Sequence, residues 1–246
     1  MQRYFIEGTF ESEKATLTGD DAKHIAKVMR MTVGDQIIVV ANNEAHICEI
    51  IEVEQQITVQ QTGATVASPE MPVHVTLACG LPKGDKLELI AQKGTELGMY
   101  AMQPFAAARS IVKWDDKKGK KNQERLQKIA KEAAEQSHRT HIPHIEMPIS
   151  FKQLIQTFSN YDAVFIADEE DAKLENRLRL SDKLRALGEA KGQRILCIFG
   201  PEGGIAREES QAMLAVGAQT MSLGPRILRA ETAPLYALAA ISYEFE

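Results

Sequence analysis

The hydrophobic pattern of this chain changes rhythm at Ala67 to Pro72. Before that break it is of strand type. The stretches QIIVVAN (36–42) and EAHICEIIEVEQQITVQQTG (44–63) alternate apolar and polar positions or run apolar with β-branched residues, and Gly34-Asp35 and Gly63 bound them as a hairpin. One helix intervenes, because Ala22, Ile25, Ala26 and Met29 recur at helical spacing and Thr18 to Asp21 resembles a weak capping box. After Pro72 the pattern becomes strand, then helix, repeated. Strands are expected at VHVTLAC (73–79), AMQPFA (101–106), DAVFIA (162–167), RILCIF (194–199) and AQTMSL (218–223), with helical patterns between them such as DKLELIAQKGTEL (85–97) and NQERLQKIAKEAAEQS (122–137). The expectation is a small, mostly β domain over 1–70, followed by an α/β domain over 73–246 with a parallel sheet covered by helices on both faces. Ligands of such sheets bind beyond the carboxyl ends of the strands.

Composition adds limits rather than chemistry. The chain has 246 residues, 44% of them hydrophobic and 26% charged, and contains no apolar run long enough to span a bilayer. The charged opening MQRYFIEGTFESEK is unlike a signal peptide, so a cytoplasmic location is expected. Cys48, Cys79 and Cys197 are odd in number, far apart and set in apolar stretches, which points to buried free thiols. The net charge of −5 argues against a general nucleic-acid coat, but it hides a local excess. From Arg109 to His141 there are ten lysines and arginines against five acids. Such a patch either steers a polyanion onto the protein or is a solvated face.

Two loops at strand ends carry the candidate chemistry. FGPEGGIAREE (199–209) leaves the RILCIF strand and enters a helix near Ala206 to Glu209; Pro201 fixes one φ, while Gly203 and Gly204 let a ligand approach the backbone. It is not a P-loop, since no Lys-Ser/Thr pair follows, nor a dinucleotide fingerprint, since the position about 20 residues on is Leu223-Gly224 rather than an acid. LGPRILRAETA (223–233) supplies a complement: Leu223, Ile227 and Leu228 can enclose a flat ring whose edge is read by main chain near Gly224. Thr232 is the expected N-cap of the last helix, with Pro234 in its first turn. Arg226, Arg229 and Glu231 are the charged residues of this loop. Arg229 and Glu231 fit either a site or a surface ion pair, and Glu231 fits either a general base or a helix-terminal charge.

Other groups carry less. His138, His141 and His144 recur every three residues, but Pro143 interrupts a helix there and no acid or Cys completes a set, so no metal site is expected. Asp168-Glu-Glu-Asp171 follows a strand and reads as a solvated loop, with one acid in place to touch a ligand.

FGPEGGIAREE followed by LGPRILRAETA resembles the paired C-terminal signature of the ribosomal RNA small subunit methyltransferase E family, in the SPOUT class. The likeness extends over nearly the whole chain, through RYF (3–5), HIAKVMRMTVGD (24–35), LPKGDKLELIAQKGTELG (81–98) and EAAEQSHRTHIP (132–143). Ala230 stands where Thr is common in the family and His138 where Gly is common. The resemblance implies a trefoil-knotted C-terminal half that binds S-adenosylmethionine, a PUA-like N-terminal β-barrel that binds RNA, a homodimer, and 3-methyluridine formation in 16S ribosomal RNA, free or in the assembled small subunit. It implies that Gly200, Pro201, Glu202, Gly203, Gly204, Leu223, Gly224, Ile227, Leu228 and Thr232 hold the cofactor. Arg229, Arg226 and Glu231 are the catalytic candidates, and Arg3, His24, Arg30, Gln136 and Arg139 are expected near RNA. The alternatives are a non-catalytic RNA-binding or ribosome-assembly factor of the same fold, and a methyltransferase of that class acting at another RNA position. The two complete loops favour the enzyme.

Overall fold

A computed structural model of the chain describes residues 1–168, 180–188 and 191–246. They divide into two units: Met1–Glu70 with Ala134–His141, and Met71–Ala133 with Ile142–Glu246. The short segment Ala134–His141 thus groups with the N-terminal sequence and not with the residues that flank it.

The first unit holds five strands, β1 (Arg3–Phe5), β2 (Lys14–Leu17), β3 (Gln36–Ala41), β4 (Glu44–Val53) and β5 (Ile57–Val66), in the order β1-β3-β4-β5-β2. The pair β1·β3 is parallel and the others are antiparallel, so the sheet is mixed. Ile37 and Val39 point into a core with Tyr4, Leu17, Ile25, Cys48, Ile50 and Val59, while Ile38 and Val40 pack with Ala45 on the opposite face. The long stretch 44–63 is two strands, turned at Glu54 to Gln56 where no apolar side chain is available to continue the alternation. The expected helix begins at α1 (Gly19–Lys23) and continues as a π-helical turn, His24–Val28. Thr18 occupies the N-cap, but its side chain makes no capping bond. In the π turn Met29 N donates to His24 O, five residues back, at 2.9 Å. That extra residue per turn leaves Ala22 and Ile25 buried but Met29 38% exposed, off the face it was expected to share.

Inside this unit Arg139 is 4% exposed and its guanidinium pairs with the Glu70 carboxylate, Nε to Oε2 at 3.1 Å. Glu70 Oε1 also accepts the backbone N–H groups of Thr140 (2.8 Å) and His141 (3.1 Å). Arg3 is 3% exposed and donates from Nη1 to Arg139 O at 2.9 Å. Arg3 and Arg139, both expected near RNA, are buried, with their guanidinium groups engaged by the Arg139 carbonyl and by Glu70. Burial alone would push the Glu70 carboxyl up, but Arg139 and the two backbone donors outweigh it and hold the carboxyl below its ordinary value. Because folding lowers this pKa, ionised Glu70 stabilises the fold above the unfolded carboxyl value of about 4.3, and the contribution disappears as acid protonates the folded group. Glu70→Gln is therefore expected to cost about 2 kcal/mol at neutral pH, less than loss of a fully buried pair since Glu70 is partly exposed, and the deficit should shrink in acid. Urea unfolding over a pH series checks this; a deficit constant with pH would contradict it.

Among its described residues the second unit contains seven strands: β6 (His74–Gly80), β7 (Ala101–Ala106), β8 (His144–Ile145), β9 (Ile149–Ser150), β10 (Ala163–Ala167), β11 (Arg194–Phe199) and β12 (Gln219–Met221). Their order is β12-β10-β11-β6-β7-β8, with β9 also on β7, and every pairing is parallel. The helices are α2 (Lys86–Glu96), α3 (Asp116–Gln136, which belongs to the first unit from Ala134 on), α4 (Phe151–Gln156), α5 (Leu180–Arg185), α6 (Arg207–Ala215) and α7 (Thr232–Phe245). Strand side chains alternate between two cores. On one face Leu77, Cys79, Phe165, Ile195, Cys197 and Phe199 meet α2, α3, α5 and α7 through Ile90, Leu126, Leu184 and Leu238. On the other, Ala78, Val164, Ile166, Leu196 and Ile198 meet α4 and α6 through Leu154 and Met213. Helix α3 starts at Asp116, ahead of its apolar pattern, because the Asp115 carboxylate accepts Lys118 N at 2.7 Å and starts a polar first turn. All three cysteines are buried and free, and burial pushes the Cys79 and Cys197 thiols up to about 12. No described helix is long and apolar enough to cross a membrane.

Candidate functional site

Parallel register places three strand ends side by side. Ala167 pairs with Phe199 on one side and with Met221 on the other, so the chains leaving β10, β11 and β12 emerge at one level. These three residues lie at the base of a cavity of about 570 Å³ within the second unit. Its walls are the loop after β11, Gly200 to Ile205, and the loop after β12, Leu223 to Ala230, completed by Lys86, Arg109, Asp168 and Ala233.

The first loop folds tightly onto itself. Gly204 N donates to Pro201 O at 2.8 Å, and a Cβ on Gly200 would lie 2.5 Å from Gly204 C and 2.7 Å from Ile205 N. Only glycine fits at 200. Gly204 has φ +70°, a left-handed conformation that L side chains disfavour. Arg109 braces the loop, with Nη1 donating to Gly203 O at 2.9 Å. The position of Arg109 is itself fixed nearby: the buried Glu209 carboxylate accepts Ala108 N at 2.8 Å and Ala206 N at 3.2 Å, joining the segment after β7 to the start of α6.

Charge is concentrated around the opening. Four cations, Lys86, Arg109, Arg226 and Arg229, line the cavity with two carboxylates, Asp168 and Glu202. Asp168 is held by Ser210, whose Oγ donates to Oδ2 at 2.7 Å. Glu202 Oε1 accepts Lys83 N at 3.0 Å and Lys86 Nζ at 2.7 Å. Burial pushes the Glu202 carboxyl up, but Lys86 and the backbone donors prevail, so it sits below the ordinary carboxylate value. The same contact with Glu202 raises the Lys86 ammonium.

Of the residues expected here, Gly200, Pro201, Glu202, Gly203, Gly204, Leu223, Gly224, Arg226, Ile227, Leu228 and Arg229 all line the cavity. Glu231 and Thr232 do not. Glu231, not Thr232, occupies the N-cap of α7, because Thr232 N and Ala233 N already turn back to Arg229 O. The Glu231 carboxylate lies beside Lys86, with Nζ to Oε2 at 3.7 Å. The five residues expected near RNA are in the first unit. Arg30 and Gln136 are exposed there, and His24 is half-buried with Nδ1 2.9 Å from the Tyr4 hydroxyl. In the acidic run 168–171 only Asp168 is among the described residues; Glu169, Glu170 and Asp171 lie outside them. Among the described residues no three His, Cys, Asp or Glu side chains gather as a metal site requires. Sequence reading missed Lys86 and Arg109 as lining groups, although Lys86 follows β6 at the same end of the sheet.

The family model described as RNA methyltransferase domain matches residues 69–242, and that described as RNA methyltransferase PUA domain matches residues 17–60. Ribosomal RNA small subunit methyltransferase E of Bacillus subtilis (strain 168) is 48% identical over 100% of this chain and 98% of its own length. The chain belongs to the ribosomal RNA small subunit methyltransferase E family. Its fold is shared with solved structures. The ribosomal RNA small subunit methyltransferase E from Neisseria gonorrhoeae, bound to S-adenosyl methionine, superposes with a TM-score of 0.84 at 27% identity, covering 99% of this chain and 97% of that one. A putative methyltransferase from Legionella pneumophila, in complex with SAM, gives 0.83 at 26% identity over 98% and 96% of the two chains. The matched methyltransferase domain contains every residue that lines the cavity.

Proposed function

We propose that this RNA methyltransferase transfers a methyl group from S-adenosylmethionine to N3 of a uridine in 16S ribosomal RNA, as a cytoplasmic homodimer whose first unit contacts RNA. The observation that carries the reading is the cavity over three strand ends, walled by two loops and rimmed by cations. The residues fit the cofactor. About 570 Å³ suits a ligand of this size, Leu223, Ile227 and Leu228 offer apolar surface to a base, and Gly200 to Gly204 bring main-chain groups to its edge. Asp168, fixed by Ser210, is placed to take a hydroxyl or ammonium group. The cofactor supplies a methyl group already activated on a sulfonium.

The chain's own task is orientation and charge. Uridine N3 carries a proton and becomes a nucleophile as that proton leaves to solvent, when negative charge spreads over the ring and its carbonyl oxygens. Arg226 and Arg229, which line the cavity, stabilise that charge. Glu231 lies 3.7 Å from Lys86 Nζ, which supports an ion-pair role for it over proton removal. The trefoil knot is supported by the strand order, in which the last strand, β12, returns outside β10 after β11 has been placed centrally. The homodimer is supported by α7, whose Tyr236, Ala239 and Tyr243 form one exposed face, with Tyr243 91% exposed. The decisive experiment incubates the chain and S-adenosylmethionine with naked 16S RNA and with small subunits from cells lacking the modification, then maps nucleosides by mass spectrometry. Product other than 3-methyluridine, or none on either substrate, overturns the reading.

RNA approach adds a separate expectation. Lys117, Lys118, Lys120 and Lys121 are exposed on the first turns of α3. Neutralising all four should lower the slope of log affinity against log salt by about 0.7 to 0.9 for each lysine that meets a phosphate. An unchanged slope assigns this run to a solvated face.

A further inference from the structure

Lys86 is the first residue of α2, a position where the helix dipole favours an acid and disfavours a cation. Local helix chemistry therefore gives no reason for a lysine there. Its tertiary contacts do. The ammonium lies 2.7 Å from Glu202 Oε1, in the loop after β11, and 3.7 Å from Glu231 Oε2, at the end of the loop after β12. Glu231 Oε2 is buried and accepts no hydrogen bond, so the Lys86 charge is its compensation among the described residues. Glu202 is anchored to the same segment a second time, through Lys83 N at 3.0 Å.

We infer that Lys86 is a positioning residue that holds the two cavity loops at one spacing, its single ammonium bridging Glu202 and Glu231. The inference rests on the reading of this cavity as the cofactor site. Its physical basis is the charge count: with Lys86 present, two carboxylates share one cation, and without it they remain as neighbouring like charges, one of them with a buried oxygen. The loops then relax apart. Loss of the ammonium should matter more than loss of either carboxylate alone, and removing one carboxylate should repair part of the damage.

That repair is the test. In the cofactor-free protein, hydrogen exchange is measured at the amides of 200–205 and 223–231 for the parent, Lys86→Met, Lys86→Arg and Lys86→Met combined with Glu231→Gln. Exchange should accelerate in Lys86→Met, stay near the parent in Lys86→Arg, and slow again in the double variant. Calorimetry with S-adenosylmethionine should show affinity falling about tenfold in Lys86→Met and recovering to within about threefold of the parent in the double variant, as expected for directly coupled residues. Unchanged exchange in Lys86→Met overturns the bridge. So does a double variant whose losses simply add, since a lysine that only packs on the loop would not be rescued by removing a charge on Glu231. A parent chain that binds no S-adenosylmethionine overturns the cofactor reading, and the exchange data then decide the bridge by themselves.

Discussion

Gly200→Ala is expected to lower affinity for S-adenosylmethionine about a hundredfold while leaving the fold in place. The added methyl would lie 2.5 Å from one backbone atom and 2.7 Å from another, and neither is the movable tip of a side chain. The loop has to open to admit it. A strain of about 3 kcal/mol, the upper part of the range for overpacking, converts to that affinity change if the open loop no longer matches the ligand. The sheet does not share the strain, because Phe199 before it and Ala206 after it are held by packing and by Glu209. Calorimetry and thermal unfolding on the same sample separate the two effects. Parent-like affinity would remove this loop from the site, and collapse of the fold would make Gly200 a packing residue instead.

Arg229→Ala should slow the methyl-transfer step about a hundredfold, with cofactor affinity changing by less than about threefold. Arg229 lines the cavity, its side chain is exposed, and no carboxylate pairs with it among the described residues. It is thus available to a ring oxygen of the target. Arg229→Lys keeps the charge and loses the planar fork, so about a tenfold loss is expected. In single-turnover measurements the parent rate should rise with pH, because the reacting form of the uracil is the deprotonated one. Both variants should keep that rise but displace it to higher pH, since a less stabilised anion forms at higher pH. Glu231→Gln should leave the rise intact. A flattened limb in that variant would return Glu231 to the role of base, and an unaltered rate in Arg229→Ala would make the loop a cofactor clamp only.

Much of this site is readable from the chain because it is local. The five main strands of the second unit announce themselves by apolar runs with β-branched residues, and the loops that follow two of them carry their glycines and arginines within a dozen positions. What was not readable is what acts at a distance or on too few residues. Lys86 meets Glu202 from 116 positions away, and no periodicity links a lysine in one helix to a carboxylate in a loop. Strands β1 and β2 span three and four residues, too short to show alternation against their surroundings. Arg3 and Arg139 matched a motif and were expected near RNA, but that both are buried in the first unit, Arg139 against Glu70 and Arg3 against the Arg139 carbonyl, shows only in tertiary contacts. The cap of the last helix moved one residue, from Thr232 to Glu231, which is the ordinary uncertainty of a helix end.

The membership of Ala134–His141 in the first unit bears on how the protein is made. A domain that is contiguous in sequence can close as soon as it clears the ribosome, but this one lacks the residue that neutralises Glu70 until Arg139 has been synthesised. For the interval in which residues 71 to 138 are being added, the first unit lacks Ala134–His141 and Glu70 lacks the Arg139 counter-ion. Completion of the first unit is therefore timed by the synthesis of the early part of the second, Met71–Ala133. A fragment ending at Glu70 would reproduce that interval permanently, so it is a model of the nascent chain rather than of the finished unit.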